Sequence, residues 1–138
     1  MQTKHYLTLS DAEFLLNKAH QYAIDHAFNV SIAIVDETGN LLAMKRMDGA
    51  SALTSKFCLD KARCSALSRR PSGSYETLIK NGQMGFLTMQ SGSGMLEGGE
   101  PILYQGQLVG AVGISGVKSF EDAEIARYAI QAFLSQFN

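Results

Sequence analysis

No run in this 138-residue chain approaches the ~18 consecutive apolar residues of a membrane helix. Lys4, His5, Thr8 and Ser10 interrupt the first apolar residues, so no secretory leader follows Met1. Tryptophan is absent, and no aromatics are interleaved among the basic residues, which argues against nucleic-acid binding. The two cysteines, Cys58 and Cys64, lie six apart in a predicted helix, on different sides of it. They are poorly placed to pair and read as reduced thiols of a cytoplasmic protein. With no CxxC or CxxCH, neither a metal site nor covalent haem attachment is indicated. Charged residues make up 18% of the chain, below the usual ~25%. A homo-oligomer or a broad ligand site accounts for that deficit; a merely neutral surface is the bland alternative.

The length suits one domain over 1–138 with a single core. Its 46% hydrophobic content is ordinary, and the net charge is −1. The charge is unevenly spread. Residues 1–44 carry two lysines and five acids, residues 45–80 eight basic residues and three acids, and residues 81–138 two basic residues and five acids. The basic middle either attracts a small anion or is a solvated helix face.

Helix and strand signals alternate. Ser10–Glu13 reads as a capping box, with Thr8 as the alternative cap. Ala12, Leu15, Leu16, Ala19, Ala23 and Ala27 then recur at helical spacing, and Asn29 suits a left-handed stop. Val30–Val35 and Leu41–Met47 read as a hairpin around the turn composition of Asp36–Asn40. A long helix is predicted from Ser51 to Arg69, with Leu53, Phe57, Cys64 and Leu67 on its inner stripe. Lys61 falls on that stripe. It either snorkels to the edge of the core, or enters a ligand pocket to hold an anion or act as a base. Tyr75–Lys80 reads as short helical turns. The Gly-, Met- and Ser-rich segment Asn81–Gly94 reads as a lid, an oligomer contact or a loop over the sheet edge. Pro101–Tyr104 and Leu108–Ile114 form a second hairpin. A capping box at Ser119–Asp122 opens the last helix, whose buried side runs from Ala123 to Phe137. The pattern is α+β: one antiparallel sheet with helices packed on it.

Glycines cluster in the C-terminal third. Gly110, Gly113 and Gly116 are spaced GxxGxxG, which is not a dinucleotide fingerprint, and no GK[ST] follows Gly92–Gly99. Close backbone packing is one reading of them, and a floor of exposed amides beside a ligand the other. Several blocks occur together: Val30–Asp36 with Gly39, Arg46-Met-Asp-Gly-Ala50, Lys61-Ala62, Gly98-Gly-Glu-Pro101, Gly110-Ala-Val-Gly113-Ile-Ser-Gly116, and Asp122. In this order they resemble the GlcG/HbpS family, which takes in the C-terminal domain of PduO-type adenosyltransferases and the OrfY-type proteins. The resemblance covers essentially residues 8–135. Gly116-Val-Lys118 departs from the family's usual Gly-Gly after the serine.

The resemblance implies a profilin-like fold, with a central antiparallel sheet of about five strands flanked by long helices. It implies dimers that assemble into larger rings or octamers. It also implies haem as a cofactor, bound and in some members degraded, in proteins linked to glycolate, glycerol or propanediol catabolism. No single axial ligand carries over from the family. His20, His26 and His5 are the axial candidates, with Met and Tyr also available. The apolar body of haem suits the loop Met84–Met95, and its propionates suit the basic helix. A second reading is a haem-free enzyme or sensor for a carboxylate metabolite. Its pocket would lie among Asp36, Asp48, Lys61, Gly98, Gly99, Pro101, Gly113, Ser115 and Gly116, with Lys61 on the carboxylate and the amides on an oxyanion. A third is a structural oligomer that scaffolds catabolic enzymes.

Overall fold

The two faces of the central sheet carry side chains of different size, and that difference sets the architecture. In a computed structural model describing residues 1–89 and 93–138, helix α1 (Leu9–Asp25) leads into strands β1 (Ser31–Asp36) and β2 (Leu41–Arg46). Helices α2 (Ala52–Ser68) and α3 (Gly73–Lys80) and a 3-10 turn (Met84–Thr88) follow. Strands β3 (Gly99–Tyr104) and β4 (Gln107–Ser115), helix α4 (Ser119–Leu134) and a last 3-10 turn (Ser135–Phe137) complete the order. The antiparallel strands lie in the order β2-β1-β4-β3. The expected α+β architecture is present, with four strands in place of five.

One face presents Ile32, Ile34, Ile102, Val112 and Ile114, which pack with α1 and α4 into the main core. The other face presents Ala33, Val35, Ala111 and Gly113. Period-two alternation separates the two sets. Large residues fill the space beneath two helices. Small ones let a single helix come close, and α2 does so through Cys58, Ala62 and Ala66. A Cβ on Gly113 would overlap the Cys58 carbonyl oxygen, and one on Gly99 the Lys61 carbonyl. The glycines are therefore covered by α2, and packing is what they serve.

This geometry keeps Lys61 and Cys64 of the predicted stripe of α2 buried and turns out its large members. Leu53, Phe57 and Leu67 face outward and are exposed, while Cys58, Lys61, Ala62, Ser65 and Ala66 face the sheet. Large apolar residues signalled the inward face in the sequence, but the contact admits only small ones. Lys61 is 4% exposed. Its stem runs against Gly98, where a Cβ would sit 2.9 Å from Nζ. The ammonium donates to Asp122 Oδ2 and to the Ile114 carbonyl, each at 3.0 Å. The other carboxylate oxygen, Oδ1, accepts from the Val117 N–H at 3.2 Å. Asp122 stands in the first turn of α4, so the pair ties the helix on one face of the sheet to the helix on the other. Burial pushes the Asp122 carboxyl up to about 6, against the opposing pull of Lys61 and the Val117 N–H.

Helix ends differ from expectation in detail. Thr8 caps α1 reciprocally with Asp11, as the alternative cap of that box. The left-handed residue after α1 is Ala27, with φ 57°, in place of Asn29. At α4 it is Glu121 that accepts from the backbone N–H of Lys118, which frees Asp122 to turn inward. Phe137 lies beyond α4 and is exposed. The β3–β4 turn places Gln105 (φ 51°) and Gly106 (φ 77°) in left-handed conformations, the geometry that a two-residue hairpin loop requires. Of the segment Asn81–Gly94, residues 90–92 lie outside those described.

Two outcomes follow. Gly113→Val drives a side chain into the α2 backbone, and thermal or denaturant unfolding should show a loss of about 3 kcal/mol or failure to fold. Lys61→Ala leaves a buried carboxylate uncompensated and should cost about 3–5 kcal/mol, while the paired change Lys61→Met with Asp122→Leu should recover most of that. Equal losses in the single and double variants would show that the pair is not the clamp described.

Candidate functional site

Strand register decides which of the predicted site residues can meet. Ser31 pairs with Ser115 at one end of β1, and Asp36 with Gly110 at the other. Lys61, Gly98, Gly113, Ser115 and Gly116 gather at the first end. Asp36 stays at the far end, where its Oδ1 accepts from the Thr38 N–H (2.8 Å), the Thr38 hydroxyl (2.6 Å) and the Asn40 N–H (3.0 Å). Partial burial pushes that carboxyl up, but these hydrogen bonds and Lys4 outweigh it and hold it below the usual range. Asp36 is the cap of its turn.

The gathered residues form a packed joint. Gly98, Gly99 and Gly113 are covered, Ser115 is buried, and Pro101 is half-buried beside them. Gly116, at φ 146°, lies where a Cβ would overlap the Asn29 carbonyl oxygen. The Gly99 N–H donates to Ser72 Oγ (2.8 Å), and the Ser72 N–H donates back to the Gly99 carbonyl (2.9 Å). Asp122 and Ile114 hold the Lys61 ammonium within the joint. Asp122 is the residue that sequence reasoning placed elsewhere. A lysine on a buried helical face demands an acid, and that demand was the signal pointing to it.

An open groove lies on the other side, between α1 and the end of β2. His20, Asn29, Lys45, Arg46, Met47, Asp48 and Gly49 line about 580 Å³ of it. Gly49 allows this wall to form, because a Cβ there would stand 2.6 Å from the Asn29 side-chain amide. Lys45 Nζ donates to Asn17 Oδ1 (2.8 Å) and sits 3.3 Å from His20 Nδ1. Partial burial, then the Lys45 charge, lowers the His20 pKa below its ordinary 6.5. The ring is thus neutral at pH 7, and with Lys45 as donor its lone pair is on Nδ1. Asp48, predicted as a ligand-binding residue, meets His20 here, as do the unpredicted Lys45 and Arg46.

The other two histidines stand apart. His26 Nδ1 lies 2.8 Å from the Tyr22 carbonyl, and the ring stacks on Tyr22 (centroids 3.9 Å) and Phe28 (5.8 Å). Donation to that carbonyl leaves the lone pair on Nε2, the arrangement of a ligating histidine. His5 packs edge-on to Tyr104. The methionine-rich segment lines a separate cleft of about 250 Å³ with Cys64, Tyr75 and Phe86. Burial pushes the Cys58 and Cys64 thiols up to about 12 and about 11, so both stay protonated. Among the described residues no three His, Cys, Asp or Glu side chains are grouped to hold a metal ion, and no helix is long and apolar enough to cross a membrane.

Comparison with known proteins agrees with this fold. Residues 7–131 match the family of the haem degrading protein HbpS-like. The chain is 37% identical over 115 residues to protein GlcG of Escherichia coli K12, spanning 83% of this chain and 85% of that one. The crystal structure of OrfY from Klebsiella pneumoniae superposes with a TM-score of 0.89 at 26% identity, over 96% of this chain and 94% of that one. A crystal structure described as a PduOC–haem complex superposes with a TM-score of 0.83 at 26% identity, covering 93% and 95%. On the family match and the GlcG relationship together, this chain belongs to the HbpS-like family.

Proposed function

We propose that this chain is a haem-binding accessory protein and that haem is held in the groove of His20. The observation that carries the reading is a neutral imidazole in an open groove of about 580 Å³, with Lys45 and Arg46 beside it. Haem needs an axial donor, apolar surface and cations for two propionates. His20 would supply the donor, Met47 apolar surface, and Lys45 and Arg46 the cations. Lys45 covers the His20 lone pair, and turning that ammonium toward a propionate would bare it. The methionine-rich cleft, at about 250 Å³, is less than half as large and holds no histidine. Bound haem would supply an iron centre for oxygen or redox chemistry.

Family membership supports a place beside enzymes of glycolate, glycerol or propanediol catabolism. The exposed Leu53, Phe57 and Leu67 on α2 support a homo-oligomer, and the two free thiols support a cytoplasmic setting. A second reading, capture of a carboxylate metabolite, moves from Lys61 to this same groove, because Lys45 and Arg46 are its accessible cations.

Titration of the purified chain with hemin should give a saturable, shifted Soret band that His20→Ala removes. Lys45→Ala should weaken binding about tenfold, the size of one charge-assisted hydrogen bond. An unchanged band in His20→Ala, or its loss only in His26→Ala, would overturn the assignment. Protonation removes the lone pair, and the His20 pKa lies below 6.5. Ligation should therefore persist as pH falls to 6.5 and be lost below it, and a Soret band already lost above 6.5 would contradict a lowered pKa.

A further inference from the structure

At the end of the main core, where both chain termini meet β3, aromatic rings continue one another outward. Phe14 contacts Phe133 (centroids 6.1 Å), Phe133 contacts Phe137 (5.2 Å), Phe137 contacts Tyr104 (5.4 Å), and Tyr104 contacts His5 (5.0 Å). A cation already caps the inner end of this run, since Lys18 Nζ lies 5.4 Å from the Phe14 centroid. The outer end opens on a cavity of about 270 Å³ whose walls include His5, Tyr104, Phe133, Phe137 and Asp11. Among the described residues, no lysine or arginine lines it. Asp11 uses Oδ2 to cap α1, accepting from the Thr8 N–H and hydroxyl, while its Oδ1 has no hydrogen-bond partner among the described residues.

The wall is held in place before any ligand arrives. The Gln107 side-chain amide brackets the backbone of His5, accepting from its N–H at 3.3 Å and donating to its carbonyl at 3.0 Å. Phe137 is 52% exposed, so aromatic surface remains to be covered. Aromatic faces with an unspent carboxylate oxygen at their edge suit a cation clothed in methyl groups: the faces attract the charge, the methyls bury apolar area, and little ordering is required. The volume admits only a compact ligand.

We propose that this cavity binds a small alkylated ammonium ion, its methyl groups against Tyr104, Phe133 and Phe137 and its charge beside Asp11. The site is separate from the His20 groove and does not depend on haem. The test titrates the full chain with choline, and with its neutral isostere in which tert-butyl replaces trimethylammonium, read by calorimetry and by the ring resonances of Tyr104 and Phe137. Choline should bind saturably and the isostere about tenfold more weakly. Asp11→Asn keeps a side-chain oxygen that can accept from the Thr8 N–H. It should weaken choline about tenfold and leave the isostere unchanged. Phe137→Ala, at an exposed terminal position, should weaken both. An isostere as tight as choline, or choline that moves neither ring, would overturn the proposal.

Discussion

A helix carbonyl and a methyl group on the strand beneath it cannot occupy the same space, and much of this molecule is arranged around that exclusion. Helix α2 lies so close to the sheet that Gly99 and Gly113 meet the carbonyl oxygens of Lys61 and Cys58. Bringing the helix in demands small residues on both partners, so Ala62 and Ala66 face Ala33, Ala111 and Gly113. The large residues of the same strands are thereby committed to the opposite face, where α1 and α4 have room for Ile32, Ile34, Val112 and Ile114. A close joint on one side and a deep core on the other are thus two consequences of one alternation.

The Lys61–Asp122 pair makes sense within that joint. A layer of alanine and glycine buries little apolar area, so α2 gains less from the hydrophobic effect than α1 or α4 does. A buried ion pair is an expensive way to hold a helix unless its remaining hydrogen-bonding capacity is used. Here the Ile114 carbonyl and the Val117 N–H use it. The same contacts fix where β4 ends and α4 begins, so the pair sets the position of the last helix as well as the hold on α2.

Element identity was legible because periodicity and turn chemistry agree along most of the chain. The start of α1 to within a turn (Thr8, the alternative to Ser10, is its cap), the hairpin around Gly106, and the stripe Ala123–Phe133 all follow from local rules. The orientation of α2 was not legible. Its apolar residues form two stripes, and volume, which decides between them, depends on a sheet face that a continuous run such as Ser31–Val35 does not reveal. The joint was legible as a cluster but left open between packing and pocket, since a glycine beneath a helix and a glycine beneath a ligand leave the same trace in sequence. The groove was legible in pieces: His20 and Asp48 stood out separately, and only the turn at Met47–Gly49 against Asn29 brings them together.

The residues that identify the family and the residues suited to chemistry overlap little here. Gly98, Gly99, Gly113, Lys61 and Asp122 determine how the layers meet, and a chain that shares them shares a fold. Of the motif blocks, Arg46-Met47-Asp48-Gly49 opens onto a groove, and it does so beside His20 and Lys45, which lie outside every block. The block supplies a cation, an apolar side chain and a tight turn, while α1 and β2 supply the imidazole and the second cation. A relative that kept the block but changed His20 would keep the turn at Met47–Gly49 and lose the imidazole that lines the groove. On the proposed reading, ligand choice would rest on side chains of α1 and β2, apart from the glycine joint that holds the fold.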